Sequence, residues 1–92
     1  MPITPIVAQH VTRFAQYDGT NSADLVTWCG DNMPGYAVAV DSESGGTLVI
    51  SFADFEHTEY ATLATGDYIM AGSTGASSAG EFAGNWREVI EP

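Results

Sequence analysis

Two strand-like segments on either side of a polar stretch constrain the fold most. Residues 35–40 (GYAVAV) and 46–52 (GTLVISF) are rich in aliphatic and aromatic side chains, and residues 41–46 (DSESGG) between them are polar and end in two glycines. Such side chains favour extended strands, and a short polar loop with glycine favours a reversal between antiparallel neighbours. The sequence therefore predicts a β-hairpin near the middle of the chain.

Further strand patterns lie on both sides of this hairpin. Polar and apolar residues alternate imperfectly over residues 6–17, where Ala15 and Tyr17 share one predicted face. Alternation returns over residues 58–63, and the Gly66-Asp67 pair indicates a turn before the next short strand. The predicted strands outside the hairpin are residues 6–17, 58–63, 68–71 and 86–90.

A short helix is predicted between the first strand and the hairpin, over residues 22–29. Leu25, Trp28 and Cys29 have the i, i+3, i+4 spacing that places them on one apolar stripe. Gly30 is suited to end the helix in the left-handed conformation. Three residues at its start can accept hydrogen bonds from the free N–H groups of the first turn, namely Thr20, Asn21 and Ser22.

A second short helix is predicted near the carboxyl end, over residues 79–85 (AGEFAGN), with Ser78 as its cap and Phe82 facing the core. Residues 72–80 (GSTGASSAG) are small throughout and are predicted to form a loop. Together these patterns predict one α+β domain over residues 1–92, with five or six mostly antiparallel strands and two short helices. Prolines at positions 2 and 5 keep residues 1–5 extended, so these residues are expected to form an N-terminal arm.

The charge balance is strongly acidic. Twelve Asp and Glu residues face two arginines, Arg13 and Arg87, and lysine is absent, so the net charge is −10. Binding to nucleic acid or to anionic membranes needs Lys or Arg, so neither is expected as a partner. A partner with a basic face would be attracted instead. The acidic charge has two other interpretations, namely that the acids only keep a small protein soluble and that they mimic DNA.

Residue types that carry nucleotide or metal binding are present, but not in the spacing that such sites use. A phosphate-binding loop needs a lysine, which residues 72–80 lack, so they are interpreted as turn and loop. His10, His57 and Cys29 do not have the close spacing of a zinc site. Residues 55–60 (FEHTEY) are interpreted as an exposed strand. No metal, cofactor or small-molecule ligand is therefore expected.

Catalysis and disulfide bonding are also not expected. Nucleophilic catalysis needs a Ser or Cys beside an oriented base, and no motif in the sequence indicates one, so no catalytic residue is assigned. A pair of carboxylates brought together by the fold is the catalytic arrangement that the sequence alone leaves open. Cys29 stands alone, which precludes an internal disulfide, and its apolar neighbours predict a small buried side chain.

The candidate contact residues are the N-terminal arm and the two arginines: Met1, Pro2, Ile3, Thr4, Pro5, Arg13 and Arg87. Arginine is enriched at protein interfaces, although pairing of each arginine with neighbouring acids is the favoured interpretation. Trp28 and Trp86 are interpreted as core residues. Residues 1–11 lack the basic region and long apolar segment of a signal peptide, and the longest apolar run is too short for a membrane span. Synthesis in a cytosol is therefore expected.

Four stretches resemble small proteins of tailed bacteriophages, particularly those of actinobacteria. They are FAQYDGTNSADLVTW, LVI, GDYIMAG and EFAGNWREV, within a resemblance that spans residues 11–90. The shared pattern is an early strand, a turn and a short helix, then a Gly-Asp-aromatic-Ile strand, a Glu-Phe helix and an aromatic-rich last strand. This family has no assigned catalytic residues, so the resemblance carries over no site.

The resemblance implies one of two roles. The first is a virion structural protein, a capsid decoration or minor head protein that docks on the shell through the major capsid protein or through copies of itself. The second is a free accessory protein in the host cytoplasm that binds a host factor or sequesters a small defence signal. The acidic surface disfavours sequestration of a nucleotide, because only two arginines could meet its phosphates.

Overall fold

The predicted central hairpin forms two strands of the larger of two sheets. The computed structural model describes residues 12–86, which fold into six strands and two helices. The strands are β1 (Phe14–Gln16), β2 (Ala37–Ser44), β3 (Thr47–Ala53), β4 (Thr58–Ala64), β5 (Tyr68–Met70) and β6 (Ala76–Ser77), and the helices are α1 (Ser22–Asn32) and α2 (Ala79–Asn85). The small α+β fold predicted from the sequence is therefore confirmed.

The larger sheet has the strand order β2-β3-β4, and both pairings are antiparallel. Gly45 and Gly46 make the turn between β2 and β3, with φ of +60° and +80°. The predicted loop over residues 41–46 is longer than the observed turn, because β2 continues to Ser44 and pairs with β3 up to the turn. A register shift between Val40 and Ser42 absorbs one extra residue as a β-bulge.

The smaller sheet has the strand order β1-β5-β6 and is also antiparallel. The predicted turn around Gly66 carries the chain from β4 in one sheet to β5 in the other. The N–H of Gly66 donates to the carbonyl of Tyr17 (2.7 Å), and the N–H of Tyr17 donates to the carbonyl of Asp67 (2.9 Å). These two bonds hold the turn between β4 and β5, where the chain passes from one sheet to the other, against the loop that follows β1.

One loop prediction needs correction, and two strand predictions lie partly outside the described residues. The predicted loop over residues 72–80 contains β6, whose two residues pair with Tyr68 and Ile69 of β5. Of the predicted first strand, only Phe14–Gln16 is a strand within the described part, and residues 6–11 lie outside it. Of the predicted last strand, only Trp86 is described, and it has extended backbone angles as the residue that ends α2.

The core lies between the inner face of the larger sheet, the inner face of the smaller sheet and α1. Burial alternates along β3 and β4, as expected for strands with one face in the core. Each fully buried large apolar side chain contributes about 1.5–3 kcal/mol. The buried residues are Tyr17, Leu25, Cys29, Met33, Leu48, Ile50, Phe52, Ala61, Leu63 and Ile69.

Helix α1 confirms the predicted apolar stripe only in part, because Leu25 and Cys29 are buried whereas Trp28 packs against the core from a half-buried position. The prediction that Gly30 ends the helix was wrong. The helix runs on to Asn32, whose side-chain amide donates to the carbonyl of Trp28 (2.9 Å). A bond between these groups extends the last turn beyond the glycine.

The predicted cap of α1 is also absent, because the Asn21 side chain is used in the preceding turn. Its Oδ1 accepts the N–H of Asp18 (3.0 Å), and its Nδ2 donates to the carbonyl of Gln16 (2.9 Å). No side-chain hydrogen bond therefore caps the helix.

Helix α2 has the predicted boundaries and the predicted cap. Ser78 Oγ accepts the N–H of Glu81, and the Glu81 carboxylate accepts the N–H of Ser78, both at 3.1 Å. The prediction that Phe82 faces the core was wrong, since the helix lies on the outer face of the smaller sheet. There Phe82 stacks on Tyr68 and contacts the edge of Phe14, with centroid distances of 4.0 and 5.0 Å. Trp86 completes this half-buried aromatic cluster at 4.7 Å from Phe14.

Candidate docking surface

The outer face of the larger sheet is built from four cross-strand rows. Residues paired directly across antiparallel strands share a face, so each row takes one residue from each of β2, β3 and β4. Nine of these side chains are exposed, and three of the four on the central strand β3, namely Val49, Ser51 and Ala53, are half-buried. The rows are Ala37-Ala53-Thr58, Ala39-Ser51-Tyr60, Ser42-Val49-Thr62 and Ser44-Thr47-Ala64, and we call these twelve residues the outer face.

The outer face carries no charged side chain, although the chain has twelve acids and two arginines. Its members are Ala, Ser, Thr and Val, apart from Tyr60, which is 58 % exposed. Asp41, the extra residue at the bulge, precedes Ser42 on the edge strand β2. The strand alternation thus places small uncharged residues outward and leaves the carboxylates to the rim and to other surfaces.

A second exposed feature is the turn between β3 and β4, residues 54–57, which we call the hairpin tip. Phe55 is 96 % exposed there and is the most exposed large apolar side chain of residues 12–86. The sequence interpretation that Glu56 and His57 lie on a strand was wrong, because β4 begins at Thr58.

Asp54 holds the hairpin tip in one backbone conformation. Its Oδ1 accepts the N–H groups of Glu56 and His57, both at 2.8 Å, while its own N–H donates to the carbonyl of His57 (3.0 Å). The backbone hydrogen bonds from His57 and Glu56 lower the pKa of the Asp54 carboxyl. Phe55 is therefore presented on a braced turn.

Two carboxylates lie beside His57 at the hairpin tip. The His57 Nδ1 lies 3.4 Å from Asp54 Oδ1, and its Nε2 lies 3.7 Å from Glu59 Oε1. The other oxygen of Glu59 accepts a hydrogen bond from the hydroxyl of Thr74 (2.7 Å), which connects β4 to the segment before β6. Phe55 lies between Asp54 and Glu56 in sequence, so the exposed ring is flanked by two acidic residues.

Glu43 is a carboxylate of β2 that joins several elements. Its Oε2 accepts the hydroxyl of buried Tyr17 (2.5 Å), and its Oε1 accepts the hydroxyl of Ser22 (3.0 Å). The hydrogen bond to Glu43 and the burial of the ring raise the pKa of Tyr17 to about 12. A phenol with a raised pKa is a poor acid and stays protonated at neutral pH, where it donates to Glu43. The two hydrogen bonds of Glu43 tie β2 to α1 and to the loop after β1.

Cys29 confirms the prediction of a small buried side chain, since it is 2 % exposed and burial raises the pKa of its thiol to about 11. Within residues 12–86, no group of three or more His, Cys, Asp and Glu side chains is arranged to hold a metal ion. Across the same described part of the chain, neither helix is long and apolar enough to cross a membrane.

The contact residues predicted from the sequence are mostly outside the described part of the chain. Met1, Pro2, Ile3, Thr4, Pro5 and Arg87 lie there. Arg13 is described and exposed at the start of β1, where its carbonyl accepts the N–H of Ala71 (2.8 Å).

Sequence reasoning missed both the hairpin tip and the outer face. For Phe55 a signal existed, because Leu48, Ile50 and Phe52 set an even-numbered inward pattern that Phe55 breaks. The lack of charge on the outer face becomes visible only when the strand register aligns residues from three segments. Comparison with protein-family models, with curated proteins and with solved structures finds no match.

Proposed function

We propose that this chain is a non-enzymatic virion structural protein, a capsid decoration or minor head protein, that docks on a larger protein assembly through its hairpin tip. The exposure of Phe55 on a braced turn carries this proposal. The resemblance to small phage proteins supplies the expectation that the assembly is a viral shell.

Phe55 has the properties of an interface anchor. A phenylalanine buries about 150–250 Å² when it enters a pocket, and aromatic anchors of this kind dominate many interfaces. Because hydrogen bonds to Asp54 already fix the turn, docking costs little additional backbone entropy. A single exposed apolar residue is ordinary on protein surfaces, but one held outward by a braced turn is suited to binding.

The acids around Phe55 define the partner's chemistry. A pocket that accepts the ring also receives Asp54 and Glu56, so it should be apolar inside and bordered by Arg or Lys. Such a pocket on the major capsid protein fits the virion role, and the arm Met1–Pro5 with Arg13 and Arg87 remains a predicted second contact. The net charge of −10 steers the chain toward this basic surface and away from nucleic acid.

The experiment uses particles of the phage that encodes the chain, purified after deletion of its gene. Recombinant wild-type chain should co-sediment with these particles, and Phe55→Ser should bind at least about ten-fold more weakly because the apolar anchor is lost. Phe55→Leu, which keeps an apolar side chain, should retain most of the affinity. About 500 mM NaCl should weaken wild-type binding because it screens the charge pairs at the rim.

Two controls make the result specific to the hairpin tip. Thr27→Ser, an exposed position on α1, should bind like wild type, and all variants should share one melting temperature because Phe55 contributes little to the core. Binding of Phe55→Ser at wild-type strength would contradict docking through the tip. Binding of every variant to a host protein and none to particles would favour the free accessory role.

A further inference from the structure

We infer that the outer face is a self-association surface, on which a second copy of this chain packs its own outer face about a two-fold axis. This inference is separate from docking through the hairpin tip, because the two surfaces share no residue. It rests on the charge, the shape and the area of the twelve residues of the outer face.

Charge favours this surface over others for contact between copies. Two copies each carry a net charge of −10 and repel one another. Like charges placed directly against each other across an interface cost several kcal/mol. None of the twelve residues of the outer face is a carboxylate, and the bulged residue Asp41 lies on the edge strand β2, so two copies can meet over the central strand without opposed charges.

The lack of charge on the outer face also disfavours basic proteins and anionic membranes as partners. A basic protein would gain its affinity from carboxylates, which the outer face lacks. An anionic membrane would need Lys or Arg, and neither is among the twelve residues. A second copy offers an equally uncharged face. A two-fold axis brings the same surface patch of both copies together, so no charge on either side is left without a partner.

Shape is also suitable for sheet-on-sheet packing. Small Ala, Ser and Thr side chains allow two sheets to approach to about 10 Å. Tyr60 is the large exposed side chain of the outer face, beside Ser51 in the second row. Tyrosine is common at interface centres because it offers a broad ring and a hydroxyl that can hydrogen-bond at low entropic cost.

The area sets the strength of the association. Three strands about 4.8 Å apart and seven residues long, at about 3.4 Å per residue, give a footprint of roughly 350 Å² per copy. Stable interfaces bury about 800 Å² per partner. The dimer is therefore weak and dependent on concentration, and it becomes relevant where copies are held close together.

Sedimentation equilibrium tests this inference with the purified chain. Between about 10 µM and 1 mM, the weight-average mass should rise from the monomer value of 9.7 kDa toward twice that value. The rise should be larger at about 500 mM NaCl than at about 50 mM, because salt screens the repulsion between acidic copies. Salt should therefore strengthen self-association, whereas it should weaken docking of the hairpin tip on a basic partner.

A matched pair of variants locates the surface. Thr62→Glu places a carboxylate in the third row of the outer face and should keep the chain monomeric over the whole range. Thr27→Glu makes the same change at an exposed position of α1 and should associate like wild type. A monomeric wild type at 1 mM in high salt, or association of a folded Thr62→Glu at wild-type strength, would overturn the inference.

A second measurement covers the case in which Thr62→Glu does not fold. In wild-type chain, amide NMR shifts that change with protein concentration should cluster on β2, β3 and β4. Tyr60→Ser should reduce these changes several-fold. Concentration-dependent shifts confined to α1, α2 or the hairpin tip would place self-association elsewhere and would contradict the inference.

Discussion

At the scale of single residues, Glu43 shows how one exposed acid can fasten several elements. It stands opposite buried Leu48 on the inner face of the larger sheet, and its two oxygens reach Tyr17 and Ser22. A carboxylate acceptor makes these hydrogen bonds stronger than neutral ones. The Tyr17 ring is fully buried, so its hydroxyl has little access to water and depends on Glu43.

This dependence predicts how stability changes at high pH. Tyrosine has a pKa near 10 in the unfolded chain, whereas Tyr17 in the folded protein has a pKa of about 12. Because folding favours the protonated form, the contribution of Tyr17 is complete below pH 10 and is lost as the pH rises from 10 through about 12. The melting temperature of wild type should fall across this window.

Tyr17→Phe should melt at a lower temperature at neutral pH and should show a shallower fall across the same window. Tyr60→Phe, which removes a hydroxyl from the exposed outer face, controls for the substitution and should follow wild type. Melting is followed by circular dichroism in a pH series. Equal slopes for wild type and Tyr17→Phe would show that the Tyr17–Glu43 bond does not contribute to stability.

At the scale of elements, local patterns predicted both helices and most strands, but they missed β6 and did not show which sheet each strand joins. The central hairpin and the capping box of α2 were predictable because their signals, paired glycines and a Ser-x-x-Glu spacing, lie within a few residues. The crossing of β5 to the other sheet depends on hydrogen bonds between Gly66 and Tyr17, 49 positions away in sequence. No local pattern encodes such a distant contact.

Two glycines illustrate opposite roles within elements. Gly46 lies at the hairpin turn with φ of +80°, and a Cβ there would approach Thr65 Oγ1 to 3.0 Å. Gly30 lies inside α1 with open space around its Cα. Gly46→Ala should therefore lower the free energy of unfolding by about 1–2 kcal/mol through left-handed strain. Gly30→Ala should raise it by about 0.5–1 kcal/mol through helix propensity.

Chemical denaturation of both variants beside wild type measures these changes. The two substitutions add the same methyl group, so their opposite signs depend only on backbone conformation and neighbours. A stabilising Gly46→Ala would contradict the turn geometry, and a destabilising Gly30→Ala would contradict the continuation of α1 to Asn32.

At the scale of the whole molecule, an acidic chain presents two exposed features, namely the uncharged outer face and the acidic hairpin tip with Phe55. The sequence alone predicted the acidity and a role in protein contact. It could not predict the outer face, because residues from three strands must first be aligned by register. The hairpin tip was missed although Phe55 breaks the even-numbered inward pattern of β3, because that pattern does not show that Asp54 accepts the two N–H groups that brace the turn.

Attachment to a viral shell is tested most directly by the copy number of the chain on purified particles. On the proposed phage origin and virion role, quantitative mass spectrometry of purified particles should find the chain at tens of copies or more per particle, in a fixed ratio to the major capsid protein. Loss of the chain from particles that carry the Phe55→Ser substitution should follow. Absence of the wild-type chain from purified particles would contradict the proposed function.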